Sequence, residues 1–114
     1  MTVTCPYCGG DAEWISNEAV YGRRYGHSWM IWLCRPCEAF VGCHKNTQKP
    51  LGTLARRDLR RLRIAAHGHI DPLWRSGRYR RKTVYRALAR VFGREVHIGE
   101  ADEETCRRIL ELKF

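Results

Sequence analysis

Cys5-Pro6-Tyr7-Cys8-Gly9-Gly10 and Cys34-Arg35-Pro36-Cys37 are the two stretches on which the fold turns. Each is a C-x-x-C pair, and 25 residues lie between Cys8 and Cys34. A C-x-x-C turn brings two thiolates to one side of a tight knuckle, and two knuckles supply the four sulfur donors of a tetrahedral zinc site. Gly9 and Gly10 let the backbone turn close to the sulfurs, where amide N–H groups support thiolate charge. Cys5, Cys8, Cys34 and Cys37 are therefore the expected ligands of one Zn²⁺. Four thiolates leave no position for water, so the expected role of the metal is structural rather than catalytic. A thioredoxin-like redox pair would need its C-x-x-C at a helix start within a βαβ pattern, and no such pattern surrounds these cysteines.

Outward from the knuckles, the sequence reads as β-structure. Ala12 to Ser16 and the aromatic-rich His27 to Leu33 are strand candidates, with Tyr21-Gly22-Arg23-Arg24-Tyr25-Gly26 as the hairpin tip between them. Ala39 to Cys43 offers a third strand. Knuckle, hairpin, knuckle and strand is the layout of a zinc ribbon, expected over residues 1–48. Cys43 and His44 follow the second knuckle closely and are candidates for a substitute ligand or a second metal site. The alternative makes Cys43 an apolar strand residue and His44 a surface one.

Lys49-Pro50-Leu51-Gly52-Thr53 breaks the pattern, and residues 49–114 read as a basic helical segment, packed with the ribbon as one domain. Thr53 is the expected N-cap of a helix from Leu54 to about His67, with Ala55, Leu59, Leu62 and Ala66 as its apolar stripe and Gly68 as its stop. Asp71-Pro72-Leu73-Trp74 is a short helical turn. A second helix is expected from about Tyr79 to Phe92, with Val84, Ala87, Leu88 and Val91 inward and Gly93 as its C-terminal stop. A third runs from about Asp102 to Leu112 and buries Cys106, Ile109 and Leu110. The expected fold is thus small α+β: a zinc ribbon of three short antiparallel strands around a four-cysteine zinc site, then a compact three-helix segment.

The net charge of +9 is unevenly placed. Residues 51–94 hold twelve Arg and Lys82 against only Asp58 and Asp71, which makes +11. Residues 1–50 sum to +1 and residues 95–114 to −3. Arg outnumbers Lys seventeen to four, and its planar fork suits bidentate phosphate recognition. Codon usage would explain Arg over Lys but not the clustering. Arg56, Arg57, Arg60, Arg61, Arg78, Arg80 and Arg81 are the candidates for phosphate contact, with Arg63, Lys82, Arg86 and Arg90 also read as outward-facing. Such a face binds DNA or RNA with salt-sensitive, largely sequence-independent affinity. Tyr79, Trp74, and Tyr21 and Tyr25 beside Arg23 and Arg24, are placed to stack on unpaired bases. The other reading gives the arginines an acidic protein surface, such as a host or phage nucleic-acid enzyme, as partner.

His67, His69 and His97, with Asp71 and His44, raise a nuclease-like metal site, but no H-x-E or H-E-x-x-H spacing ties them together. The expectation is a non-enzymatic protein with no small-molecule substrate. No run approaches the roughly 18 apolar residues of a membrane span, and the N-terminus lacks a signal-peptide layout. A cytoplasmic protein with no membrane partner follows, in a reducing compartment where paired cysteines serve metal rather than disulfides.

Trp32 to Lys45 (WLCRPCEAFVGCHK), Pro50 to Ala55 (PLGTLA), Ala66 to Trp74 (AHGHIDPLW) and His97 to Leu112 (HIGEADEETCRRILEL) together resemble a zinc-finger-containing domain family of unknown function found in small phage and prophage proteins. The resemblance covers nearly the whole chain, from Cys5 to Leu112. It implies the same four zinc ligands and a viral or prophage setting inside a bacterial host cell, with no established activity. Val96 stands where the family admits Cys, so a second metal site using that position is not implied here.

Overall fold

Every residue from Ile31 to Cys34 is buried, which is the pattern of a strand covered on both faces. A computed structural model describing all of Met1–Phe114 places it as β2 (Met30–Cys34), central in a three-stranded antiparallel sheet ordered β1-β2-β3. β1 is Glu13–Ser16 and β3 is Ala39–Gly42. The register sets Trp14 opposite Trp32 and Cys34 opposite Ala39. Strand alternation then sorts the side chains. Trp32, Cys34 and Ala39 bury on one face with Cys5, Cys43 and Leu54, and Trp14 packs against them. Ile31, Leu33 and Phe40 bury on the other, with Ile15. The Trp14–Trp32 pair, with ring centroids 5.1 Å apart, fastens β1 to β2 beyond the ladder itself.

The chain forms two units, Met1–Asp58 and Leu59–Phe114. Residues 49–58, expected with the helices, cluster with the sheet. Cys43 bridges to Pro50, and Phe40 and Ala55 exchange backbone hydrogen bonds of 3.2 and 3.1 Å. Leu54 and Ala55 are buried at the sheet edge, so Thr53 caps no helix and the first long helix, α2, starts at Arg57. The hairpin connection also differs from the expected plain tip. It contains a single helical turn, α1 (Glu18–Tyr21), closed by Gly22 in the left-handed conformation at φ 77°.

The second unit is helical: α2 (Arg57–Ile70), α3 (Pro72–Arg75), α4 (Arg81–Phe92), a 3-10 turn at Ile98–Glu100, and α5 (Glu103–Glu111). α2 runs past Gly68 to Ile70, whose side chain is fully buried and extends the apolar stripe by another turn. The helical turn expected at Asp71-Pro72-Leu73-Trp74 is the short helix α3, so the segment counts four helices where three were expected. Its core joins Ala66 and Ile70 of α2, Val84 and Leu88 of α4, Val96, Ile98 and Ala101 of the connection, and Cys106 and Ile109 of α5. On α4 the buried stripe leans toward Tyr85 and Phe92, which turns Ala87 and Val91 to solvent. Leu110 of α5 is likewise exposed, one position around the helix from Ile109.

Polar residues close the ends of these elements. Asp102 caps α5 by accepting a 2.8 Å bond from the Thr105 amide. Arg63, expected on the solvent face, is buried and donates through Nε to the Ala101 carbonyl at 2.9 Å. Its alkyl stem packs while its head satisfies a carbonyl that α5 leaves unused.

Candidate metal centre

In the first knuckle the Cys5 amide donates to Gly10 O at 2.8 Å and the Gly9 amide to Cys5 O at 2.9 Å, which folds the C-x-x-C segment back on itself. Gly9 sits at φ 76°, a conformation open to glycine at little cost. At Gly10 the amide points at Cys8 Sγ (3.4 Å), and a Cβ there would meet the same sulfur at 3.4 Å. The second knuckle is the β2–β3 turn. Cys34 ends β2, and Glu38, at φ 53°, returns the chain into β3 so that Cys37 faces the sheet end where Cys34 lies.

The sulfurs of Cys5, Cys8, Cys34 and Cys37 all lie within 4.8 Å of one another. Cys8 Sγ and Cys34 Sγ, one from each knuckle, are 3.7 Å apart. A regular tetrahedron with Zn–S bonds of about 2.3 Å has S···S edges of about 3.8 Å. A disulfide needs about 2.05 Å, and all six cysteines are free thiols. The donor set and its spacing fit one tetrahedral zinc ion.

The electrostatics of the cluster are those of a site that expects a cation. Burial pushes the Cys5 thiol up, but the Cys8 and Tyr7 amides and the neighbouring thiols together bring it down to about 7. For Cys34 the Cys37 amide lowers the thiol, yet burial and the three other cysteines push it up to about 12. Burial and Cys8 raise Cys37 as well. One ionised sulfur thus raises the cost of ionising its neighbours, and a divalent ion removes that cost by supplying the opposing charge.

Arg56 ties the two knuckles together, a role its sequence context does not reveal. Its Nε donates to Cys37 O at 3.2 Å, its guanidinium lies 4.4 Å from the centroid of the Tyr7 ring, and its amide donates to Tyr7 Oη at 3.1 Å. Tyr7 lies inside the first knuckle and Cys37 in the second. The residue read as a phosphate contact is therefore engaged at the metal centre.

These features define a small α+β protein built around a four-cysteine zinc centre. The chain belongs to the family described as a zinc-finger-containing domain, which matches residues 1–113. No curated protein and no solved structure gives a significant match.

The remaining candidates fall in separate places. Cys43 is buried in the apolar cluster beside the knuckles, where burial raises its thiol, and it is not one of the four grouped sulfurs. His44 is exposed. The other three candidate histidines have separate neighbours. His67 Nδ1 is 3.3 Å from Asp71 Oδ2 without the alignment of a hydrogen bond, His69 Nε2 is 2.7 Å from Leu112 O, and His97 faces Glu95. No group of three or more metal-ligating side chains forms apart from the four cysteines. Among the arginines, Arg57, Arg61, Arg78 and Arg80 are exposed and Arg60 is half-buried. Arg81 is exposed and stacks on Tyr85 at 4.6 Å and Trp74 at 5.7 Å. No helix is long and apolar enough to cross a membrane.

Proposed function

We propose that the chain is a non-enzymatic accessory protein that binds nucleic acid, with its first unit a zinc ribbon held by a structural ion and its second unit presenting an arginine-rich face to phosphates. The observation that carries this reading is the exposed side of α4. Lys82, Arg86 and Arg90 recur every fourth residue along it, about 6 Å apart along the axis, and all three are exposed without an acidic partner. Arg78 and Arg80, also exposed, lead into the same helix. Only Asp58 and Asp71 offset the thirteen cations of residues 51–94, and Asp71 is buried. A surface serving solubility alone intersperses both signs. The resemblance to phage and prophage proteins supports a place inside a bacterial host cell.

The test is a salt titration of binding to a duplex of arbitrary sequence, with the parent and with a Lys82→Gln, Arg86→Gln, Arg90→Gln triple variant. The parent's affinity should fall steeply with salt, and the variant should lower the slope of log K against log salt by about 2 to 3. An unchanged slope would remove this face from the binding surface. A partner retained from nuclease-treated host lysate, together with no binding to nucleic acid, would assign the cations to an acidic protein instead.

A further inference from the structure

Residues 17–29, the connection between β1 and β2, carry large aromatic side chains in the open. Tyr25 is 59% and Trp29 44% exposed. A flexible loop would be an unfavourable place for them, since ordering it on binding costs conformational entropy. This loop is already ordered by one buried side chain. Asn17, 4% exposed, donates through Nδ2 to Tyr25 O at 2.8 Å and accepts from the Tyr25 amide through Oδ1 at 3.1 Å, so a single amide satisfies both backbone groups of Tyr25. The Asn17 backbone N–H in turn donates to Trp29 O at 2.6 Å, and Trp29 Nε1 donates to Gly26 O at 2.9 Å.

The rings so held are interleaved with cations. The Arg24 guanidinium lies 4.5 Å from the centroid of Trp29 and is aligned by a 3.0 Å pair with Glu18. Arg23 is exposed with no acidic partner. Tyr21 stacks obliquely on Tyr25 at 5.3 Å and also packs edge-on against Phe40 of β3, which commits its ring to the sheet. Flat aromatic and guanidinium faces among positive charges are the chemistry that takes up unpaired bases without sequence preference. A duplex hides those faces within its own stack.

We infer that Tyr25 and Trp29, clamped by Asn17 and flanked by Arg23 and Arg24, form a pre-built stacking platform for the bases of single-stranded nucleic acid. The inference rests on the nucleic-acid reading above and narrows its ligand class.

The zinc-loaded full chain is titrated with a fluorescently labelled twelve-nucleotide oligothymidylate and with a duplex of equal length. The parent should bind the single strand with quenching of tryptophan fluorescence, and Trp29→Phe should lose most of the quenching while keeping most of the affinity. Tyr25→Ser with Trp29→Ser should weaken single-strand binding by about 10- to 100-fold and leave duplex binding within about twofold, with zinc content reporting that the fold is intact. Single-strand binding by the double variant at the parent's affinity, or parent binding without quenching, overturns the platform even if the arginine face binds duplex as proposed. Failure to bind either nucleic acid overturns both.

Discussion

The Met1–Asp58 and Leu59–Phe114 units are almost equal in length and differ in what holds them together. The second has one continuous apolar core in which Ile70, Ile98, Cys106 and Ile109 are fully buried. The first divides its apolar side chains between two faces of a three-stranded sheet, and two of the six buried residues on the knuckle face are themselves zinc ligands, Cys5 and Cys34. A sheet this small does not bury enough apolar surface to offset the entropy of ordering its loops. Metal coordination fills that gap in the first unit, whereas the second relies on area removed from water.

Stripping the metal separates the two modes most sharply. Zinc coordination by such a site contributes on the order of 10–16 kcal/mol at neutral pH. A strong chelator, or Cys34→Ser, should therefore abolish the near-ultraviolet circular dichroism of the Trp14–Trp32 pair. Most of the helical far-ultraviolet signal, which comes from α2, α4 and α5, should persist. Simultaneous loss of both signals would mean that the second unit depends on the metal too.

Truncating the second core is the converse experiment. Ile109→Ala removes a fully buried side chain and should cost about 2–5 kcal/mol in denaturant unfolding of the helices, with one zinc still bound per chain. A smaller effect separates the units by pH. Thr105, through its side chain and its amide, holds the Asp102 carboxylate below its usual value. Because the folded-state value is the lower one, the stabilisation is complete above a pH of about 3.9 and is lost as pH falls through the folded-state value. Asp102→Ala should cost about 1 kcal/mol at neutral pH and much less once the parent carboxylate is protonated. Zinc should already have left at higher pH, since protons compete with it for the thiolates, so acid should dismantle the first unit before it weakens the α5 cap. The smallest expected change is a gain. Gly68 lies inside α2 at an ordinary helical φ with nothing within 4 Å of a would-be Cβ, so Gly68→Ala should stabilise the helices by about 0.4–1 kcal/mol and leave the metal site untouched.

The same contrast decides what the sequence reveals. The four grouped cysteines, three antiparallel strands and the Gly93 stop of α4 are legible because each rests on a local signal: a C-x-x-C pair, a short apolar or aromatic-rich run bounded by turn residues, or a glycine taking the left-handed cap at φ 68°. The fate of Leu54 and Ala55 is not. Their spacing continues the α2 stripe, while a bridge to Phe40, fifteen positions earlier than Ala55, holds them on the sheet. Val96 and Ile98 enter the core from an irregular segment and a 3-10 turn, where no helical or strand period applies. Arg63 and Arg56 look like solvent charges until Ala101 O and Cys37 O are brought to them by the fold. The buried amide of Asn17 is invisible for the same reason, since its partner Tyr25 depends on the shape of the whole connection.

Native mass spectrometry of the purified chain tests the shared metal centre directly. The mass should equal the chain with all six cysteines free of disulfides plus one zinc ion displacing thiol protons, and Cys34→Ser should lose that ion. A metal-free chain, or a mass lowered by disulfides among Cys5, Cys8, Cys34 and Cys37, would contradict the account.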